Sequence, residues 1–165
     1  MSAALSAASG CQLTPTEPSD PEETEPDVEG NALLKARAYA AHAGGVTICE
    51  DSGLIIPALG GLPGAWSARF TEMEEVDVAA GTVGRHIDSG LPREELDARN
   101  CRRVMELMEG VEQPRRAAVF NAVLAVALPH GAVLFDRAGE SHGGITEGLD
   151  PPGHQCLCTR PTRIV

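Results

Sequence analysis

The most regular pattern in the chain is a run of strong helix formers that begins at Asn31 and ends before the glycine at position 44. Alanine and leucine dominate this run, and alanine has the highest intrinsic helix propensity. Asp27 or Asn31 can cap the start through a side-chain oxygen, and glycine commonly follows the last turn of a helix. The run therefore predicts a helix with one apolar face against a sheet. The residues predicted on that face are Leu34, Ala38 and Ala41.

Two β-favouring runs follow the helix at residues 46–49 and 54–56, separated by the four residues Glu-Asp-Ser-Gly. Asp-Ser-Gly is common turn chemistry, so one interpretation is a polar turn between two strands. A second interpretation is a divalent cation held by the adjacent carboxylates of Glu50 and Asp51. A buried carboxylate without a partner costs several kcal/mol, and oxygen ligands suit such a cation. The residues alone leave both interpretations open.

The second half of the chain predicts another helix and a β-hairpin. Residues 92–110 have Pro92 suited to the first helical turn and a glycine at the end. Residues 116–128 form a long β-favouring run, which Pro-His-Gly at 129–131 turns into a second strand at 132–135. Residues 139–145 predict a short third strand.

Composition narrows the class of protein. A chain of 165 residues with 42% hydrophobic content predicts a single domain over residues 1–165. A net charge of −11 disfavours binding to polymeric nucleic acid. The five cysteines are an odd number without a secreted-framework pattern, which favours the cytoplasm. No apolar run approaches the roughly 20 residues of a membrane span.

The two ends of the chain have different compositions from the middle. Residues 1–27 are predicted to be a poorly structured leading segment, because their second half is rich in proline and acidic side chains. Residues 148–165 contain three prolines and show neither helical nor strand periodicity, so they predict a divergent tail.

Three motifs occur in order in the middle of the chain. They are Asn31-Ala-Leu-Leu-Lys-Ala-Arg, Glu50-Asp-Ser-Gly-Leu, and Ala58-Leu-Gly-Gly-Leu-Pro-Gly-Ala-Trp-Ser-Ala-Arg-Phe70. With similar later segments at 116–120 and 143–146, they resemble the inosine triphosphate pyrophosphatase family over residues 22–146. The resemblance implies an α/β fold with a mixed central β-sheet flanked by helices, and a homodimer.

The resemblance also implies an activity and a set of site residues. Members of that family hydrolyse non-standard purine nucleoside triphosphates (ITP, dITP, XTP) to the monophosphate and pyrophosphate with Mg²⁺. Asp51 resembles the family's catalytic general base and metal ligand, and Glu23 falls on the position of a second metal ligand. Lys35 matches the helix lysine that contacts the triphosphate. The implied substrate-binding residues are Lys35, Asp51, Ser52, Gly53 and Leu54.

The sequence departs from the family's pattern at both ends. Residues 1–20 do not match the strand and the Thr/Ser-Gly-Asn-x-x-Lys turn that cradles the phosphates in the family. The residues after Thr146 do not match the Phe-Gly-Tyr-Asp-Pro-like segment that recognises the base. A late start and a change of reading frame are our hypothesis for these ends. Two alternatives to the enzyme therefore stay open, a catalytically silent remnant of the family and an acidic metal-binding module without catalysis.

Overall fold

The computed structural model describes residues 21–146, and the predicted tail at 148–165 and most of the leading segment lie outside this range. The helices and strands of the described region are α1 Val28–Ala43, β1 Thr47–Ile55, β2 Pro63–Gly64, α2 Arg93–Leu107, β3 Ala117–Ala127 and β4 Val133–Gly144. The four strands form one sheet in the order β2-β1-β3-β4, and neighbouring strands pair antiparallel. The α/β class with a central sheet flanked by helices is confirmed.

β1 is continuous, so the interpretation of residues 50–53 as a polar turn between two strands is wrong. It pairs with β3 without interruption from Thr47, opposite Ala127, to Ile55, opposite Val119. Successive side chains of a strand point to opposite faces of the sheet. Glu50 is accordingly exposed, and Asp51 enters the face that α1 covers. The strand therefore accommodates two acids in a row because it places only one of them under the helix.

α1 begins three residues before the predicted start. Asp27 caps it by accepting a 2.7 Å hydrogen bond from the Gly30 N–H, and Gly44 ends it in the left-handed conformation with φ 64°. The predicted apolar face is wrong, because Ala38 and Ala41 are exposed. In a run this rich in alanine, most faces look equally apolar, so periodicity does not select one. The side chains of α1 that are buried are Val28, Asn31, Ala32, Ala36 and Ala40.

The predicted hairpin is confirmed, and its second strand is longer than expected. β3 and β4 pair from Ala117, opposite Gly144, to Ala127, opposite Val133. The short strand predicted at 139–145 is therefore the second half of β4. α2 lies within the range predicted for it and begins directly after Pro92.

The sheet separates two hydrophobic clusters. On one face, the alanines of α1 pack against Val123, Ala125 and Ala127 of β3. On the other face, Leu54 and Ile56 pack with Phe70, and Val104 of α2 and Met108, which directly follows α2, belong to the same cluster. Within residues 21–146, no helix has the length and apolar character needed to cross a membrane.

Candidate functional site

Asp51 lies in the middle of β1 beneath α1, with its side chain 12% exposed. Its Oδ1 accepts a 2.7 Å hydrogen bond from Lys35 Nζ. Its Oδ2 is buried and has no hydrogen-bond partner among residues 21–146. Most buried polar atoms in proteins are paired, so a carboxylate oxygen left in this state is typical of a functional site.

Lys35 joins Asp51 to a second carboxylate. Its ammonium group contacts Glu23 Oε1 as well as Asp51 Oδ1, and both acids are largely buried. Glu23 precedes α1 in a stretch without helix or strand, and Lys35 lies in the middle of α1 on the side that faces β1. The structure therefore brings together the side chains of Glu23, Lys35 and Asp51, the three residues that the family resemblance predicted for the site.

Arg69 is a fourth member of this cluster, and the sequence analysis gave it no role. Its Nη1 lies 2.7 Å from Glu23 Oε2, so the Glu23 carboxylate is held by Arg69 on one side and Lys35 on the other. Its guanidinium stacks over the Trp66 ring at 5.0 Å from the ring centre. The Trp-Ser-Ala-Arg sequence was the available signal, because an aromatic residue close to an arginine in an ordered loop allows this stacking.

The charges of the cluster shift its pKa values in different directions. Burial raises the pKa of Asp51, and the hydrogen bond and charge of Lys35 only partly oppose this rise. Burial also acts to raise the pKa of Glu23, but Lys35 and Arg69 together lower it below its usual value. For Lys35, burial acts to lower the pKa, and the two carboxylates raise it overall. Of the two acids, Asp51 therefore binds a proton more readily than an ordinary aspartate, whereas Glu23 binds one less readily than an ordinary glutamate.

The other predicted substrate-binding residues lie directly after Asp51 on β1. Gly53 is buried on the Asp51 face, where an added Cβ would lie 2.2 Å from the carbonyl oxygen of Gly64. Ser52 follows Asp51 directly on β1, but its side chain points to the opposite face of the sheet. Leu54 points the same way and belongs to the hydrophobic cluster on that face. The structure therefore groups only Gly53 of these three with the charged cluster.

The loop that carries Arg69 is attached to β1 by Ser67. The Ser67 hydroxyl accepts a 2.8 Å hydrogen bond from the Leu54 N–H and donates a 2.6 Å hydrogen bond to the Gly64 carbonyl. Because Gly53 lacks a side chain, β2 can approach β1 closely at this point. The loop and the strand therefore hold Arg69 and Asp51 in a fixed relation.

The donor atoms of the cluster fit a hard cation in part. In the range 21–146, no three His, Cys, Asp or Glu side chains converge as a ready-made metal site. Glu23 and Asp51 nevertheless supply two carboxylates around one point, and Asp51 Oδ2 is a buried acceptor without a donor. Carboxylate oxygens are the ligands that Mg²⁺ prefers, and Mg²⁺ commonly keeps water and phosphate for its other positions. These residues are therefore compatible with such an ion.

Comparison with known proteins decides the family. A model of the Ham1 family matches residues 2–154, which is wider than the range 22–146 over which the motifs were noticed. The chain belongs to the Ham1 family. The resemblance to inosine triphosphate pyrophosphatases is confirmed by this match and by the names of the family's members.

Several members of the Ham1 family are similar in sequence. The dITP/XTP pyrophosphatase of Nitratidesulfovibrio vulgaris is 38% identical over 142 residues, which cover 85% of this chain and 62% of that protein. The dITP/XTP pyrophosphatase of Leifsonia xyli is 32% identical over 149 residues, which cover 86% of this chain and 65% of that protein. The chain therefore spans less than two thirds of the length of these relatives.

Solved structures of the family share the fold. A nucleoside-triphosphatase / dITP/XTP pyrophosphatase from Mycobacterium abscessus superposes with a TM-score of 0.65 at 30% identity, covering 93% of this chain and 74% of that one. A HAM1 protein from Coxiella burnetii superposes with a TM-score of 0.63 at 26% identity, covering 85% and 61%. The sheet and helices described above are thus those of a Ham1 domain.

Proposed function

We propose that this chain hydrolyses non-standard purine nucleoside triphosphates, namely ITP, dITP and XTP, to the monophosphate and pyrophosphate. The observation that carries the proposal is the convergence of Glu23, Lys35 and Asp51, in which one oxygen of Asp51 keeps its lone pairs free. The names of the sequence relatives and of the Mycobacterium abscessus structure support this reaction and this class of substrate. The substrate in the family is a nucleoside triphosphate.

In this proposal, Asp51 is the general base. Its Oδ2 accepts a proton from the attacking water as the water oxygen bonds to the α-phosphorus. The bond from the α-phosphorus to the bridging oxygen breaks, and pyrophosphate leaves with the bonding electron pair. A general base works best when its pKa lies near the working pH, and burial moves the pKa of Asp51 in that direction. The raised pKa is therefore consistent with this role.

Glu23 and Asp51 are the proposed protein ligands of a divalent metal. The family generally uses such a metal, and we propose Mg²⁺ because the available donors are carboxylate oxygens. When bound, Mg²⁺ would neutralise charge on the phosphate oxygens and polarise the bound water. The two acids and the two bases of the cluster carry no net charge together, so an added divalent ion makes the site positive and suited to pyrophosphate.

Lys35 and the segment after Asp51 complete the proposed substrate site. Lys35 carries a compact charge that can turn from the carboxylates to a phosphate oxygen. Ser52, Gly53 and Leu54 are the proposed nucleotide contacts, with Gly53 on the same face of the sheet as Asp51.

The wider predictions are also proposals. We propose one domain over residues 1–165, a homodimer, a cytoplasmic location, and no binding to polymeric nucleic acid or membranes. The chain length supports the single domain, and the family resemblance supports the homodimer. The charge of −11 supports the absence of nucleic-acid binding, and the odd cysteine count supports the cytoplasmic location. Size-exclusion chromatography with light scattering tests the dimer directly.

Pyrophosphate release tests the proposed reaction. The full 165-residue chain is incubated with Mg²⁺ and either dITP or dGTP, and pyrophosphate is measured against a no-enzyme blank. We expect release from dITP well above release from dGTP, and loss of release when EDTA removes the metal. A chain that is folded by circular dichroism yet releases no pyrophosphate from ITP, dITP or XTP would favour the silent-remnant alternative.

A further inference from the structure

We propose that Arg69 binds a phosphate group of the nucleotide: its Nη2 donates to a phosphate oxygen while its Nη1 holds Glu23. This inference rests on the proposed function and adds a substrate contact on the loop that follows β2. Arg69 would then contact both the substrate and Glu23, which is one of the proposed metal ligands.

The guanidinium of Arg69 has a buried donor group, Nη2, that lacks an acceptor among residues 21–146. Nη1 lies 2.7 Å from Glu23 Oε2, and the other oxygen of Glu23 already contacts Lys35. Nη2 is buried and has no acceptor in the part of the chain that the structure describes. A buried charged donor without an acceptor costs free energy, so binding of an acceptor at Nη2 would be favourable. The chemistry that matches it is an anionic oxygen.

The backbone of Arg69 is fixed before any ligand binds. Asn100 of α2 lies against its loop and accepts a 2.7 Å hydrogen bond from the Thr71 N–H through Oδ1, and its Nδ2 donates to the Ala68 carbonyl at 3.0 Å. The Arg69 N–H itself donates to the Trp66 carbonyl at 2.9 Å. The loop is therefore held on both sides of Arg69.

The side chain of Arg69 is fixed as well. The guanidinium lies 5.0 Å from the centre of the Trp66 ring, and its bond to Glu23 sets the orientation of the guanidinium. A planar guanidinium can bind a carboxylate with one edge and a phosphate with another, whereas the ammonium group of lysine is a single point of charge. This geometry suits an arginine that links Glu23 to a phosphate.

Calorimetry with inorganic pyrophosphate tests the proposal. Binding to the full chain is measured in Mg²⁺ for the wild type, Arg69→Ala, Arg69→Lys and the control Arg85→Ala. Arg85 is an exposed arginine paired with Glu74, and its side chain is 76% exposed, so the control removes the same charge away from the site. Mg²⁺ binding without pyrophosphate is measured in parallel, and circular dichroism confirms that each variant is folded.

We expect Arg69→Ala to weaken pyrophosphate binding on the order of 10- to 100-fold, the usual effect of losing a charged hydrogen bond. Arg69→Lys should recover part of this loss, and Arg85→Ala should bind within about twofold of the wild type. For dITP hydrolysis, KM should rise more than kcat falls.

Two results would overturn the assignment of Arg69. One is pyrophosphate binding by Arg69→Ala within about twofold of the wild type. The other is a loss of Mg²⁺ affinity large enough to account for the whole loss of pyrophosphate binding, because Arg69 would then act only through Glu23. A folded wild type that neither binds pyrophosphate nor hydrolyses dITP would instead overturn the proposed function itself.

Discussion

Asp51 and Glu72 are both largely buried acids, and their surroundings differ in one respect. Both oxygens of Glu72 are paired: Oε1 accepts from the Ser89 N–H at 2.8 Å and from the Ser89 hydroxyl, and Oε2 lies 3.1 Å from His86 Nε2. Asp51 has one oxygen on Lys35 and a second without a partner in residues 21–146. Glu72 therefore fastens a loop, while Asp51 keeps an acceptor available.

The pKa values of the two acids are shifted in opposite directions, in keeping with their different hydrogen bonding. Burial acts to raise the pKa of Glu72, but the hydrogen bonds from Ser89 and the contact with His86 lower it overall. Burial raises the pKa of Asp51, and Lys35 does not reverse the rise. A fully paired acid is thus stabilised as an anion by its fold, and a half-paired acid is kept ready for a proton or a cation.

The largest expected effect is on catalysis by the half-paired acid. Asp51→Asn keeps the size and polarity of the side chain but removes the proton acceptor and the charge. We expect the rate of pyrophosphate release from dITP to fall about 100- to 10,000-fold, the usual contribution of a general base.

Glu50→Gln is the matched control for this experiment, because Glu50 is the neighbouring acid on β1 and is exposed. We expect Glu50→Gln to keep dITP hydrolysis within about twofold of the wild type. Equal losses in Asp51→Asn and Glu50→Gln would mean that charge near the strand, and not the buried carboxylate, supports the reaction.

The second-largest expected effect is a loss of folding stability when Glu72, the fully paired acid, is removed. Glu72→Ala leaves the Ser89 N–H and hydroxyl without their acceptor, and Glu72 is 9% exposed. We expect a loss of about 1–3 kcal/mol in the free energy of unfolding, measured by urea denaturation.

Glu74→Ala is the control for this loss, because Glu74 forms an exposed ion pair with Arg85. Exposed pairs contribute little, so we expect a change below about 1 kcal/mol. A Glu72→Ala protein as stable as Glu74→Ala would show that the bonds of Glu72 do not fasten the loop.

A smaller expected effect is on the pH dependence of stability, which should differ between the two acids. Because the folded state lowers the pKa of Glu72, its ionisation adds stability above the ordinary glutamate range, and this stability is lost as pH falls through the lowered pKa. We therefore expect the melting temperature of Glu72→Gln to lie below that of the wild type at pH 7, with a gap that narrows on acidification. A gap of constant size from pH 7 to acid would contradict this assignment.

For Asp51, stability should depend on pH in the opposite direction. Its pKa is raised in the folded state, so its contribution to stability is present below the ordinary aspartate pKa and lost as pH rises through the raised value. In EDTA, Asp51→Asn should therefore melt above the wild type at pH 7, and the gain should shrink towards acid. Differential scanning calorimetry measures both, and an Asp51→Asn protein less stable than the wild type at pH 7 would exclude a raised pKa.

Local signals in the sequence were sufficient for several elements. The hairpin of β3 and β4 follows from the Pro-His-Gly turn between two β-favouring runs, and α1 follows from its helix formers and terminal glycine. The continuity of β1 did not follow, because it depends on pairing with β3, which is far away in the chain. A local turn signal there was overridden by the hydrogen bonds of the sheet.

The candidate site was only partly accessible from sequence. Family resemblance selected Glu23, Lys35 and Asp51, and the structure brings their side chains into contact. Arg69 was missed because its partner Glu23 lies before α1, and sequence spacing does not reveal which acid a loop arginine contacts. The buried face of α1 was wrong because alanines at 38 and 41 look as apolar as the alanines that pack on the sheet.

Manganese binding followed by electron paramagnetic resonance tests the central claim most directly, because the signal of free Mn²⁺ falls as the ion binds. Titrations of the wild type, Asp51→Asn and Glu72→Gln compare the half-paired acid with the fully paired one. The expected result is saturable binding in the wild type and in Glu72→Gln and a loss of that binding in Asp51→Asn. Binding to Asp51→Asn with the affinity of the wild type would contradict the claim that Asp51 holds the cation.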